Sequence, residues 1–461
     1  MLKHSNMKRT ALFLAAAMAM AWPALAQNQP ASAAAPAAPT FAKMVEKMDL
    51  KDGDTVVFLG DSITHQCLYT QYVEDYFYTR FPNMRIKFHN SGVGGDRASD
   101  AIIRFDDDVA AFKPKYVTIL LGMNDGAYRD FDKGVFDTYQ KGMTTVLEKI
   151  SALGATAIPM TPTMHDARAA RLRNKGGEPR DTYYNGVLAL YGAWLREQAQ
   201  VRGLGFVDMY SPLNNLTLEQ RKKDANFTMI ADAVHPGAPG QVVMAAAVIN
   251  DICPRGPVSS ITIQDKAGKL APVVGNGKIA DFQASDDKVS FTFTANALPW
   301  VLPTEAAEGY KLTSAGHRYS NEKITVRNLK PGKYELKIDG QSVGTWPDSQ
   351  LAFGVELEGN DKTPQYQQAL QVATLNKERN DKAVRPLRNL WGAMKGKRNE
   401  IAKAEAAKDP QLDAKKEAFA KWTEEFKTNV AKQQAMAKEF EDKIYAANQP
   451  KARKYELVRV P

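Results

Sequence analysis

Cysteine occurs only twice in 461 residues, and neither Cys67 nor Cys253 has the setting of a catalytic cysteine or a metal ligand. Histidine occurs six times. No cluster of His, Cys, Asp and Glu shows metal-ligand spacing, so neither a metal nor another cofactor is expected. After the first 26 residues no segment is apolar and long enough to cross a membrane. A clustered basic motif is missing too. Lys and Arg number 61 against 52 Asp and Glu, a formal charge of +9, which is modest for this length and gives no footprint for nucleic acid. The excess is still compatible with contact with anionic cell-envelope polymers.

The amino end carries Lys3, Lys8 and Arg9, an apolar stretch from Ala11 to Trp22, and then Ala24-Leu25-Ala26. This is the pattern of a secretory signal peptide over residues 1–26, with cleavage after Ala26. The apolar stretch is shorter than the roughly 20 residues a membrane anchor needs. Cleavage removes three basic and no acidic residues, so the charge falls from +9 to +6. Residues 27–40, rich in Ala, Pro and Gln, lack an apolar period and read as a flexible leader. The expectation is a protein exported to the periplasm or beyond the cell.

Four short segments, in order and widely separated, carry the chemistry. They are Gly60-Asp61-Ser62-Ile63-Thr64, Asn90 to Asp96 (NSGVGGD), Gly122-Met123-Asn124-Asp125 and Asp232-Ala233-Val234-His235. The first sets a serine just after the apolar run Thr55-Val56-Val57-Phe58-Leu59, where a strand ends and a helix begins. A helix N-terminus offers unpaired N–H groups and a positive dipole end, which suit the negative charge that develops on a carbonyl oxygen during acyl transfer. Gly95 and Asn124 can add donors there. Asp232 precedes His235 by three residues, close enough to orient the imidazole and stabilise its cation once it has taken the serine proton. Together they predict acyl transfer through a covalent serine intermediate.

Singly, each segment has a plainer reading. Asp61-Ser62 suits a helix N-cap. Gly92, Gly94 and Gly95 suit a tight turn, Asn124-Asp125 is turn chemistry, and Asp232 with His235 can be a loop pair before Pro236-Gly237. Their joint occurrence, each at the carboxyl end of a predicted strand or in a loop, favours the functional reading. Of the six histidines, His235 alone has an acidic residue three positions earlier.

At these residues the chain resembles the SGNH hydrolases, also called the GDSL esterase and lipase family, over roughly residues 51–254. The resemblance implies that Ser62 is the nucleophile, His235 its base and Asp232 the orienter. It also implies an oxyanion hole formed by the Ser62 and Gly95 N–H groups and the Asn124 side chain. Gly95 is chosen among the three glycines because the family pattern puts the donor just before the aspartate. Ile63 stands where the family often has leucine, a volume-conserving change.

Apolar runs alternate with helical stretches through the first half, over residues 41–256. Strands are predicted at Thr55 to Leu59, Arg85 to His89, Tyr116 to Leu121, Ala155 to Met160 and Gly205 to Asp208. Helices are predicted near Leu68 to Arg80, Ser99 to Phe112, Lys133 to Leu153, Thr182 to Arg202 and Pro239 to Ile252. The fold class is α/β, a flavodoxin-like doubly wound sheet of about five parallel strands with ligands bound at their carboxyl ends. Thr161-Pro162-Thr163 either lines that cleft or is an ordinary loop. Cys67 and Cys253 fall on the first and last helices, which can share a face. In an oxidising compartment they form a disulfide or remain two buried thiols.

From residue 257 to 355 the period shifts to two, as in Val289, Phe291 and Phe293, then Tyr334, Leu336 and Ile338, with turns at Pro331-Gly332 and Asp339-Gly340. This predicts a small β-rich module, a sandwich-like pair of sheets. Trp300, Tyr310 and Trp346 either fill its core or offer stacking faces to sugar rings. Residues 356–461 are read as a helical arm, a hairpin divided at Asp409-Pro410. Phe419, Trp422, Phe426 and Val430, resumed by Met436, Phe440 and Ile444, form an apolar stripe. It packs against the hairpin partner or the hydrolase domain, or supports self-association.

The expected activity is hydrolysis of carboxylic esters through an acyl-enzyme. Substrates within the resembling family include short-chain and aryl esters, lipids, thioesters and acetylated carbohydrates, and export with an accessory β module tilts the choice toward O-acetyl groups on a polysaccharide. Acetyl transfer to a glycan uses the same acyl-enzyme. A non-catalytic glycan-binding scaffold would have no need for the matched base and orienter.

Overall fold

The residues that lead to Ser62 are buried on both faces, as a strand inside a parallel sheet must be. The computed structural model describes residues 42–173, 183–285 and 287–461. The signal peptide and leader assigned from sequence, Thr182 and part of the polar loop after Ala167 lie outside the described residues. Thr55–Gly60 is β1, flanked by β2 (Lys87–Gly92) and β3 (Tyr116–Leu120), with β4 (Thr156–Pro159) beyond. All pairings are parallel, in the order β2-β1-β3-β4.

The predicted fifth strand is reduced to one parallel bridge, Met160 with Val207. Gly205 N–H bonds to Ala157 O and Val207 N–H to Pro159 O, both at 3.2 Å. The return bond that would extend the ladder needs an N–H at position 159, and proline has none.

Helices cover both faces: α1 (Ser62–His65), α2 (Leu68–Arg80), α3 (Ala98–Asp108), α4 (Lys133–Ala152), α5 (Ala167–Arg173), α6 (Tyr184–Arg202), α7 (Tyr210–Arg221) and α8 (Ala238–Ile252). The packed α2 and α8 run parallel. Tyr69 N–H meets Gln241 near their first turns, and the Tyr76 hydroxyl meets Pro254 O near their last. Cys67 caps the start of α2 and Cys253 the end of α8, so the expected shared face separates them by a helix length, on the order of 20 Å. Both are buried free thiols, and the disulfide alternative is excluded by distance. Thr161, Pro162 and Thr163 are buried. The Thr161 hydroxyl accepts from the N–H groups of Met209 and Tyr210, so Thr161 clasps the segment after β4 to the start of α7.

The β-rich expectation is met by two sheets sharing one core. β5 (Ser259–Lys266), β6 (Lys269–Gly275), β7 (Gly277–Ala284) and β8 (Lys288–Ala295) precede α9 (Ala307–Leu312) and α10 (Ala315–Tyr319). Then come β9 (Glu322–Val326), β10 (Lys333–Ile338), β11 (Gln341–Pro347), α11 (Asp348–Phe353) and β12 (Val355–Glu356). One sheet has the order β12-β9-β5-β6 and the other β11-β10-β13-β8-β7. Strand β13 (Arg453–Val460) is made by the last residues of the chain, which corrects their assignment to the helical arm. The alternation of Tyr455 and Leu457 points both side chains into the sandwich core. Trp300 and Tyr310 offer no stacking face. Trp300 is buried in the core of the α/β layers, its indole N–H bonded to Tyr72 O, and the Tyr310 hydroxyl bonds to Trp300 O.

The arm comprises α12 (Pro364–Arg379), α13 (Arg385–Ala406) and α14 (Leu412–Ala447). A π turn over Asn380–Val384 joins the first two, where Pro386 has no N–H to continue the α ladder. The apolar stripe is used inside the chain. Phe426, with Phe419, Trp422 and Val430 beside it, packs on Leu387, Trp391 and Met394 of α13 and on Val93 of the glycine loop. Ile444 and Tyr445 enter the main core. The described residues form one compact unit. Among the described residues no helix is long and apolar enough to cross a membrane.

Candidate active site

β1 ends at Gly60 and α1 begins at Ser62, so Asp61 becomes the N-cap and its carboxylate accepts from Ile63 N–H at 2.9 Å. The plain N-cap reading therefore holds for Asp61, and it leaves the next side chain half-buried at the carboxyl edge of the sheet. His235 Nε2 lies 2.8 Å from Ser62 Oγ, and His235 Nδ1 lies 2.6 Å from Asp232 Oδ2. The other Asp232 oxygen accepts from the N–H groups of Val234 and His235, at 2.9 and 2.7 Å. That turn requires φ of +74° at Ala233, a left-handed conformation disfavoured by about 1–2 kcal/mol for a residue with a Cβ. It is held by Asp166, whose N–H bonds to Ala233 O and whose carboxylate takes Arg221 and Thr228.

Burial acts most strongly on the Asp232 carboxyl and raises it. The His235 N–H, the His235 ring and the Val234 N–H outweigh burial, and Asp232 is held below the usual carboxylate range. An ionised Asp232 bonded to Nδ1 fixes the tautomer with the proton on Nδ1, leaving Nε2 to accept from the Ser62 hydroxyl.

Gly95 and Asn124 come to the same edge. Gly95 has φ of +69° and is exposed. Asn124 Nδ2 lies 3.1 Å from Asp96 O and 3.5 Å from Asp61 Oδ2, while the Tyr128 hydroxyl donates to Asn124 Oδ1 at 3.0 Å. With its carbonyl engaged by Tyr128, the amide must turn its NH₂ toward the glycine loop. All five residues assigned from the motifs, Ser62, Gly95, Asn124, Asp232 and His235, thus gather at one site. The arrangement can activate a serine hydroxyl and surround a nascent oxyanion with donors.

Sequence reasoning missed the supports beneath. Asn90, which opens the glycine segment, donates to Thr64 O at 2.8 Å and accepts from Gly92 N–H at 2.9 Å, tying the loop to α1. An added Cβ on Gly92 would lie 2.3 Å from His65 N, so only glycine permits this approach. Arg104 bonds to Asp96, Asp108, Ser91 and Gly60 O from a buried position. Its i,i+4 spacing to Asp108 on a predicted helix was the one available signal. Burial, with repulsion from Asp125 and Asp96, outweighs the Ile63 N–H and pushes the Asp61 carboxyl up to about 7. Burial likewise pushes Asp125 up to about 6 against the Ala98 N–H.

Residues 58–243 match the GDSL-like Lipase/Acylhydrolase family. An acetylxylan esterase of Geobacillus stearothermophilus is 26% identical over 228 residues, which cover 44% of this chain and 96% of that protein. A solved structure of that esterase gives a TM-score of 0.37 at 25% identity, with the same shares covered. A gut microbial diltiazem-metabolizing enzyme gives a TM-score of 0.77 at 27% identity, covering 90% of this chain and 100% of that one. The latter match extends through the β sandwich and the helical arm. The matched segment, residues 58–243, carries the serine, glycine, asparagine and histidine-partner motifs on a doubly wound sheet and is a GDSL-like lipase/acylhydrolase domain, which makes the chain an ester-hydrolysing enzyme.

Proposed function

We propose that this enzyme is exported and cleaves carboxylic esters through an acyl-enzyme on Ser62, with O-acetyl groups of a polysaccharide as its substrate class. The observation that carries the mechanism is the continuous relay from Ser62 Oγ through His235 to Asp232, at 2.8 and 2.6 Å. Ser62 Oγ attacks the ester carbonyl carbon as His235 Nε2 takes its proton, and Asp232 stabilises the imidazolium through Nδ1–H. The carbonyl oxygen gains charge facing the Ser62 and Gly95 N–H groups and Asn124 Nδ2, donors fixed before the reaction begins. His235 returns the proton to the departing alcohol. It then activates a water that releases acetate and restores Ser62.

The acetyl-glycan assignment is supported by the likeness to an acetylxylan esterase over nearly that protein's whole length. The test compares wild type and Ser62→Ala on p-nitrophenyl acetate, butyrate and octanoate and on acetylated xylan. The expected result is turnover on acetate esters that falls by at least about 10³-fold in the variant, with acetate released from xylan. Equal rates in the two proteins would sink the serine mechanism. Preference for octanoate with no release from xylan would replace the glycan by a lipid-like substrate.

Export is supported by Lys3, Lys8 and Arg9 before the apolar stretch and by Ala24-Leu25-Ala26. The mature protein recovered outside the cytoplasm is expected to begin at Gln27. A mature chain retaining Met1 in the cytoplasm contradicts it.

A further inference from the structure

The glycine loop that presents Gly95 is not held by the α/β domain alone. His65, in the turn that starts at Ser62, accepts from Gly94 N–H through Nδ1 at 3.3 Å. A backbone N–H can only donate, so Nδ1 is unprotonated and the ring proton sits on Nε2. Nε2 then donates to Asn389 Oδ1 at 2.9 Å, and Asn389 belongs to α13 of the helical arm. On the far side of Gly95, Lys395 of the same helix bonds to Asp96 Oδ1 at 2.8 Å and to Asp100 Oδ2 at 3.2 Å. Val93, fully buried, sits in the apolar cluster of the arm with Leu387, Trp391 and Met394. Every residue from Val93 to Asp96 except Gly95 is therefore anchored to α13, directly or through one side chain.

We infer that α13 is a positioning element of the oxyanion hole, with Asn389 acting through His65 and Lys395 acting through Asp96 to fix the Gly95 N–H. This rests on the serine mechanism proposed above. Neither residue touches the reacting atoms. Their effect is geometric, and misplacing a catalytic donor by about 1 Å costs on the order of 10²-fold in rate. The interaction belongs to the transition state, so its loss lowers kcat and leaves KM in place.

The His65 contact also makes the loop sensitive to protonation. A doubly protonated ring carries a proton on Nδ1 and cannot accept from Gly94. The charged groups acting on the ring are Arg388 and Arg385 of α13 and Asp96 of the loop; burial first, and the two arginines with it, hold the ring below the usual histidine range. Asn389→Asp places a carboxylate on Nε2–H, which favours the cation by about one unit or more.

The test measures kcat, KM and pH profiles on p-nitrophenyl acetate for Asn389→Ala, Lys395→Met, their double variant and Asn389→Asp, beside Ser62→Ala. Asn389 is exposed, so its variants keep the melting temperature and carry the test even if Lys395→Met folds poorly. The expected result is a loss of at least about tenfold in kcat with KM within about twofold for the alanine and methionine variants. For Asn389→Asp the expected result is an acid limb displaced to higher pH by about one unit. Wild-type kcat in all of them and an unmoved acid limb, with Ser62→Ala inactive, overturns the role of the arm and leaves the serine mechanism standing. Activity surviving in Ser62→Ala overturns both.

Discussion

Asp61 is the residue whose placement is least expected from its chemistry. It is 1% exposed, next to the nucleophile, and shares its surroundings with the buried carboxyls of Asp96 and Asp125. The cap bond from Ile63 N–H explains why a carboxyl is there, and burial explains why its titration moves up to about 7. A carboxyl raised on folding keeps its proton in the native state while the unfolded chain has already released it. Its contribution to stability is full below the usual carboxylate value and is lost as pH rises through about 7. A displacement of this size corresponds to something on the order of 4 kcal/mol. Asparagine imitates the protonated acid and removes this dependence. Melting temperatures of wild type and Asp61→Asn are expected to lie close together near pH 4 and to diverge toward pH 8, with the variant the more stable. Parallel curves across that range would show that Asp61 does not titrate there.

At the scale of elements, what was legible in the sequence was what local pattern specifies. β1 begins at the residue expected and is followed by the expected helix start at Ser62, because an apolar run closed by the cap residue Asp61 is a local signal; α2 spans the residues expected. The four motifs were legible because each is a strand end or a loop whose residue types are dictated by the reaction. What was not legible depends on partners far along the chain. Residues Leu68–Arg80 give no hint that Glu74 and Asp75 are buried, since their partners Arg379, Asn376 and Asn380 lie three hundred residues later. Trp300 was assigned to the β module by its neighbours in sequence, yet it fills space beside Tyr76 of the α/β layers. The weakness of the fifth strand was written in Pro159, whose missing N–H matters only once the register of β4 is known. Lys395 and Asn389 sit in a Lys-rich amphipathic helix where neither stands out from a solvated face.

Strand β13 closes the larger sheet of the sandwich, and this bears on how the compact unit unfolds. β13 lies between β10 and β8, antiparallel to both, with Leu457 opposite Leu336 on one side and Val289 on the other. The neighbouring Tyr455 hydroxyl accepts from Gln365 of α12, which also reaches Glu322 of β9. The end of α14 is tied to the α/β layers through Asn448 to Tyr78 O and the Tyr445 hydroxyl to Met84 O. These ties predict that a disturbance in the sandwich reaches the arm. Leu457 is 1% exposed, so Leu457→Ala should cost about 2–5 kcal/mol although it lies far from Ser62 in sequence and touches no active-site residue. Far-ultraviolet circular dichroism, tryptophan fluorescence and residual esterase activity are expected to fall together in a single transition at lower temperature. A first transition that melts the sandwich and leaves hydrolysis intact would mean that the β module is a separate cooperative unit, and that β13 serves only its own sheet.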